Sequence, residues 1–141
     1  MLVRRRVEMP ALGAPRATTR RQAVKYMLLI YGAEDAGPAP GTPAFDEQRR
    51  RWMTYTRRLE EAGAMLAGAP LQGAATATTV RSRNGDDLIT DGPFAETKEV
   101  LGGYYLIDVP DLDQALSWAR QMPNIGFGSV EVRPVLEIPG M

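Results

Sequence analysis

Apolar and polar positions follow two different rhythms along the chain. "KYMLLIY", Lys25 to Tyr31, is a short, continuously apolar run of the kind a buried strand presents. The following "GAEDAGPAPGTP" has the glycine and proline content of a loop. From Thr42 the period becomes helical. Thr42 is placed to cap the helix, Pro43 takes its first position, and Asp46 and Glu47 sit near the positive end of its dipole. Phe45, Trp52, Tyr55, Leu59 and Ala62 then fall on one stripe at spacings of three, four and seven, and Gly63 ends the helix.

Ala64 to Leu71 reads as a weaker strand. Ala77 to Arg83 and Asp87 to Thr90 flank Asn84-Gly85, a dipeptide suited to the left-handed backbone of a tight hairpin turn, so the two runs are predicted to pair. Gly102 to Val109 is another apolar strand. Asp111, with Gln114 three residues on, forms an Asp variant of the capping box for a helix whose apolar face is Leu112, Ala115, Leu116, Ala119 and Met122; Pro123 stops it. From Ser129 to Ile138, Val130, Val132, Pro134, Leu136 and Ile138 alternate with charged Glu131, Arg133 and Glu137. Pro134 cannot donate to a ladder, which places this strand at an edge or puts a bulge there.

The order β-α-β, hairpin, β-α-β predicts an α+β protomer of ferredoxin-like arrangement, an antiparallel sheet with two helices on one face. The strands Lys25 to Tyr31 and Tyr104 to Val109 are apolar at odd and even positions alike, the pattern of strands covered on both sides. Two helices cover one side. The economical cover for the other is a second copy of the chain, giving a homodimer through the sheet face.

Composition narrows the chemistry. The 141 residues suit one domain, and no apolar run approaches membrane-spanning length, so no membrane association is expected and a cytoplasmic location is. With no Cys and no His, thiolate and imidazole metal sites, Cys nucleophiles, Ser-His-Asp triads and disulfides are excluded. No metal or cofactor is expected. Acid–base work would fall to Asp, Glu, Lys, Tyr or Arg.

The formal charge of zero hides six arginines against one acid in residues 1 to 24, leaving 11 basic and 16 acidic residues beyond them. That acidic body is not a nucleic-acid-binding face. Residues 1 to 24 lack periodicity and read as a disordered Arg-rich arm. An export signal, a transit peptide or a nucleic-acid arm are weaker readings than a misassigned start, with Val24 the product of a GUG initiation codon and the domain occupying 25 to 141.

"KYMLLIY", "TVRSRNGDDLITDGPFAETKEVLGGYYLIDVPDLDQALSWA" and "VEVRPVLEI" together resemble the YCII-related proteins of the DGPF type, small bacterial proteins of the dimeric α/β-barrel class, over about Lys25 to Ile138. The resemblance implies that fold and a dimer. Relatives of this kind are proposed to use a His-Asp pair in a cleft, which implies Asp91 as counterpart of the aspartate; the histidine has none here. Many DGPF-type proteins are encoded beside extracytoplasmic-function sigma factors, which implies a regulatory or stress-linked role.

Within "DGPF", Asp91 can accept backbone N–H groups in an Asx-turn, Gly92 can take dihedrals closed to other residues, Pro93 fixes φ, and Phe94 would anchor the corner in apolar surroundings. A corner alone explains all four. Asp91, held at a pocket mouth by a rigid turn, is also the candidate catalytic acid or base. Arg81, two residues from Arg83 on one strand face, either clamps an anionic ligand or solvates the hairpin. Tyr104 or Tyr105, of which Tyr105 is the chosen candidate, could line a pocket with its hydroxyl tip, while Trp52 and Tyr55 read as core. The expected function is small-molecule binding in a cleft near this corner, with lyase- or isomerase-type catalysis as an extension. A non-catalytic regulatory module working with a sigma factor is the alternative.

Overall fold

The computed structural model describes residues 23–141, so the expected arm falls outside the described residues apart from its last two positions. The elements are β1 (Val24–Gly32), α1 (Pro43–Glu61), β2 (Met65–Pro70), a 3-10 turn (Ala74–Thr76), β3 (Thr78–Arg83), β4 (Asp86–Asp91), β5 (Val100–Val109), α2 (Leu112–Arg120) and β6 (Ser129–Pro134). Four strands form an antiparallel sheet in the order β2-β5-β1-β6, and β3 and β4 form a separate hairpin. The sheet is open, with β2 and β6 as its edges, and does not close into the barrel that the resemblance implied. Pro134 ends the edge strand β6 opposite Tyr26, where its missing N–H costs no central ladder bond.

The local signals act as the sequence implied. The Thr42 side chain accepts a hydrogen bond from Phe45 N at 3.2 Å, and the Asp111 carboxylate accepts one from Gln114 N at 2.9 Å. Past α1, Gly63 takes φ +68°, which lets its own N–H reach Glu60 O and the Ala64 N–H reach Leu59 O, both at 3.0 Å. This double closure satisfies two otherwise orphaned helix carbonyls and turns the chain into β2. Asn84 and Gly85, at φ 52° and 83°, make the hairpin turn between β3 and β4.

Both helices pack on one sheet face, where Leu28, Leu59, Ile107 and Met122 lose essentially all contact with solvent and Tyr26, Tyr55, Ala64, Tyr105, Val109 and Ala115 join them in the core. Each such apolar side chain contributes on the order of 1.5–3 kcal/mol of burial. The stripe assigned to α1 is narrower than its periodicity implied. Tyr55 and Leu59 are buried, Trp52 is half-buried, and Phe45 and Ala62 are exposed. The helix meets the core along one ridge, and its flank toward β2 stays uncovered. In α2 the same holds for Leu112, exposed at the first turn while Ala115 and Ala119 are buried. On the opposite sheet face Met27, Leu29, Tyr31, Tyr104 and Leu106 are half-buried, and the core that both helices join lies on the other side.

Candidate functional site

The block from Asp91 to Phe94 is a corner held from β3. Gly92 takes φ +98°, a conformation that only glycine adopts without strain. Its N–H donates to Ala77 O at 2.7 Å, Thr79 Oγ1 donates to its carbonyl at 2.8 Å, and Arg81 Nη2 donates to Phe94 O at 2.6 Å. Ala77, just ahead of β3, and Thr79 and Arg81 within it, alternate along the chain and secure the corner's backbone. The Asx-turn that could have held it is not formed: the Asp91 carboxylate makes no hydrogen bond or ion pair among the described residues, and the residue is exposed. Phe94 is not the expected anchor either. Its side chain is 77% exposed, because among the described residues the hairpin offers no apolar wall to receive it.

An apolar-walled concavity lies on the uncovered flank of α1. Between α1 and the β2–β5 side of the sheet is a cleft of about 670 Å³, walled by Phe45, Trp52, Met53 and Met65, floored by Gly68, Gly103 and Tyr105, and edged by Arg49, Arg57 and Glu60. The helix places these residues because positions 45, 49, 52, 53, 56, 57 and 60 recur every three to four and so share one flank. Two glycines open the floor. A Cβ at Gly68 would lie 2.8 Å from Cδ1 of the Tyr105 ring, and one at Gly103 would lie 3.0 Å from Ala69 O. Glycine at these positions lets the Tyr105 ring lie flat against β2 and lets the two strands pair closely.

Tyr105 is the polar centre of the cleft. Its hydroxyl and that of Thr56 are 2.6 Å apart, and its ring lies within 16° of parallel to Trp52 at 6.4 Å. Burial pushes the phenol above the usual tyrosine value; the hydrogen bond with Thr56 pulls it back, and the Glu60 charge adds to the rise. At neutral pH the floor therefore carries two neutral hydroxyls, each able to donate or accept. Tyr55, behind Trp52, is pushed up further, by burial first and by Tyr105 second, and its hydroxyl donates to Trp118 O at 2.9 Å. Tyr55 is core as expected. Trp52 is a wall of the cleft.

A second cavity of about 350 Å³ adjoins the first and shares Ile30, Phe45, Gln48, Trp52 and Gly102 with it. Glu34 on its rim accepts the Ala74 N–H at 2.5 Å, and Asn124 in its wall is 6% exposed with neither side-chain amide atom partnered among the described residues.

Of the residues singled out from the sequence, Tyr105 is therefore in a cleft, while Asp91 and Arg81 border neither cavity and stand on the hairpin. Thr56, Arg49, Arg57 and Met53 were missed. The signal available was Met53, a large apolar residue off the core stripe, which marks a second face of α1 as other than solvated.

The family model of the YCII-related domain matches residues 24–139. An uncharacterised protein of Rhizobium meliloti (strain 1021) is 39% identical over 112 residues, covering 78% of this chain and 90% of the relative.

Proposed function

The chain belongs to the YCII-related domain family, and on that premise we propose that it binds a small, largely apolar molecule in the cleft between α1 and the β2–β5 side of the sheet. The observation that carries this reading is the Thr56–Tyr105 hydroxyl pair on an otherwise apolar, glycine-opened floor. A few convergent polar groups in an aromatic-walled concavity are the usual make-up of a small-molecule site. The floor offers hydrogen bonding and orientation. A lyase- or isomerase-type step would have to draw its proton transfers from Tyr105, Thr56 or Glu60. Asp91 and Arg81 join such a site only through a second copy whose hairpin reaches over it, since within one protomer they border neither cavity.

The test is titration with N-phenyl-1-naphthylamine, a neutral dye that brightens in apolar pockets. Saturable brightening that Trp52→Ala weakens at least tenfold supports the reading. No saturable brightening, or brightening indifferent to Trp52→Ala, overturns it.

The second copy is itself part of the proposal. Met27, Leu29, Tyr31, Tyr104 and Leu106 form an apolar centre on the sheet face away from the helices, and Glu131 and Arg133 edge it on β6. A two-fold partner would meet apolar centre with apolar centre. Light scattering at micromolar concentration is expected to give twice the 15.5 kDa chain mass, falling to one on Leu29→Asp. A monomer in the unsubstituted protein refutes the dimer. The regulatory alternative draws on a separate observation, the exposure of Val80, Ile89 and Phe94 on the hairpin at 65, 65 and 77%. It requires that Val80→Ser with Ile89→Ser abolish co-purification with a sigma factor while dye binding persists.

A further inference from the structure

Helix α1 carries five arginines, and they divide by direction. Arg50 and Arg51 both pair with Glu47, at 3.0 and 3.6 Å, and Arg58 donates to Gln121 Oε1 at 2.5 Å while lying 5.9 Å over the Trp118 ring. Arg49 and Arg57 edge the cleft, and neither has a hydrogen-bond or ion-pair partner among the described residues. They are eight residues apart, so they stand on the same flank about 12 Å from each other with Met53 midway. Among the described residues, the facing lip, Met65, Gly68, Ala69 and Pro70, carries no charge, and Glu60 is the single acid of the cleft. The mouth thus has an excess of one positive charge in a chain whose residues beyond the arm are net acidic.

Resting on the ligand-binding reading above, we infer that the cleft selects aromatic carboxylates, with Arg49 and Arg57 as the residues that determine specificity. The aromatic body is received by Phe45, Trp52 and Met65, whose flat or polarisable surfaces suit a ring. A carboxylate at the mouth meets a guanidinium, whose planar fork matches two carboxylate oxygens and carries no competing partner among the described residues. The Thr56–Tyr105 pair then serves a neutral polar substituent deeper on the ring. Glu60 limits the affinity by repelling the same carboxylate.

Calorimetry on the full chain, with three acids and their neutral isosteres, separates this from simple apolar binding. The pairs are benzoate with benzyl alcohol, 2-naphthoate with 2-naphthalenemethanol, and indole-3-acetate with indole-3-ethanol; 2-naphthyl phosphate is added as the other common anion. The acids are expected to bind about tenfold tighter than their isosteres, the worth of one charge-assisted contact. That margin should shrink at 0.5 M salt, where exposed charges are screened. Arg49→Gln with Arg57→Gln should remove the margin and leave the alcohols unchanged, and Glu60→Gln should widen it. Neither position is buried, so folding is not at issue. Acids and alcohols binding equally would overturn the inference and leave the neutral-dye result standing, as would the phosphate binding tighter than the naphthoate. If no member of any pair binds while the dye does, the ligand class is wrong; if the dye also fails, the cleft reading falls with it.

Discussion

Replacing Gly68 by alanine tests whether the floor of the cleft is built around Tyr105. The new Cβ would lie 2.8 Å from Tyr105 Cδ1, 3.1 Å from Tyr104 O and 3.2 Å from Met65 Cε, and the first of these distances is not tolerated by real carbon pairs. Met65 can swing aside, but the carbonyl belongs to the paired strand and cannot. Relief must come from the Tyr105 ring, which would move into the cleft and stretch its 2.6 Å contact with Thr56. Overpacking of this kind costs about 1–3 kcal/mol, while alanine for glycine returns about 0.4–1 kcal/mol through the unfolded chain. The net expectation is a loss of roughly 1–2 kcal/mol. Two neighbours serve as controls, and none of the three glycines holds a positive φ. A Cβ at Gly102 finds nothing closer than Ile30 O at 3.9 Å, so Gly102→Ala should be neutral or slightly stabilising. At Gly103 the obstacles are backbone, Ala69 O at 3.0 Å and Pro70 Cα at 3.3 Å, so Gly103→Ala should destabilise without moving Tyr105. Urea midpoints rank stability, and the neutral dye reports the cleft. A Gly68→Ala protein as stable as Gly102→Ala, or one that binds dye as the parent does, would refute the reasoning.

Three further outcomes follow from particular contacts. The Tyr55 phenol is held protonated by burial, so its contribution is present in full below about pH 10, where the unfolded chain ionises, and is lost as pH rises from there toward the folded value. Unfolding free energies from urea titrations between pH 9 and 11 should fall by up to about 1.4 kcal/mol per pH unit more steeply in the parent than in Tyr55→Phe, and equal slopes would contradict the shift. Asp91→Ala should change stability by no more than about 0.5 kcal/mol, since its carboxylate has no partner among the described residues; a loss above 1 kcal/mol at any concentration would show a contact made elsewhere. Thr42→Ala should cost about 1 kcal/mol in thermal or urea unfolding through the lost cap on Phe45 N, and Thr42→Ser should restore most of it.

What the sequence determined by itself was everything set within a few residues. The caps at Thr42 and Asp111, the left-handed Gly63, the Asn84-Gly85 turn and the edge position of Pro134 each follow from backbone chemistry that a residue carries with it. The order of elements then restricts the sheet to few pairings, and β2-β5-β1-β6 is the antiparallel one that leaves both helices on a single face. Direction in space was not legible in the same way. Phe94 has the residue type of an anchor, and it is exposed because no wall stands opposite the hairpin among the described residues. Phe45 and Trp52 share the core period of α1, yet a helix resting on a twisted sheet touches it along one ridge, so residues slightly off that ridge border a cleft. The candidate site depends on that gap. Thr56 and Tyr105 are 49 residues apart in sequence, and no periodicity relates a helix flank to a strand that pairs beneath it. Their hydroxyls meet because β5 lies between β1 and β2, which sets Tyr105 under α1, and because Gly68 leaves room for its ring.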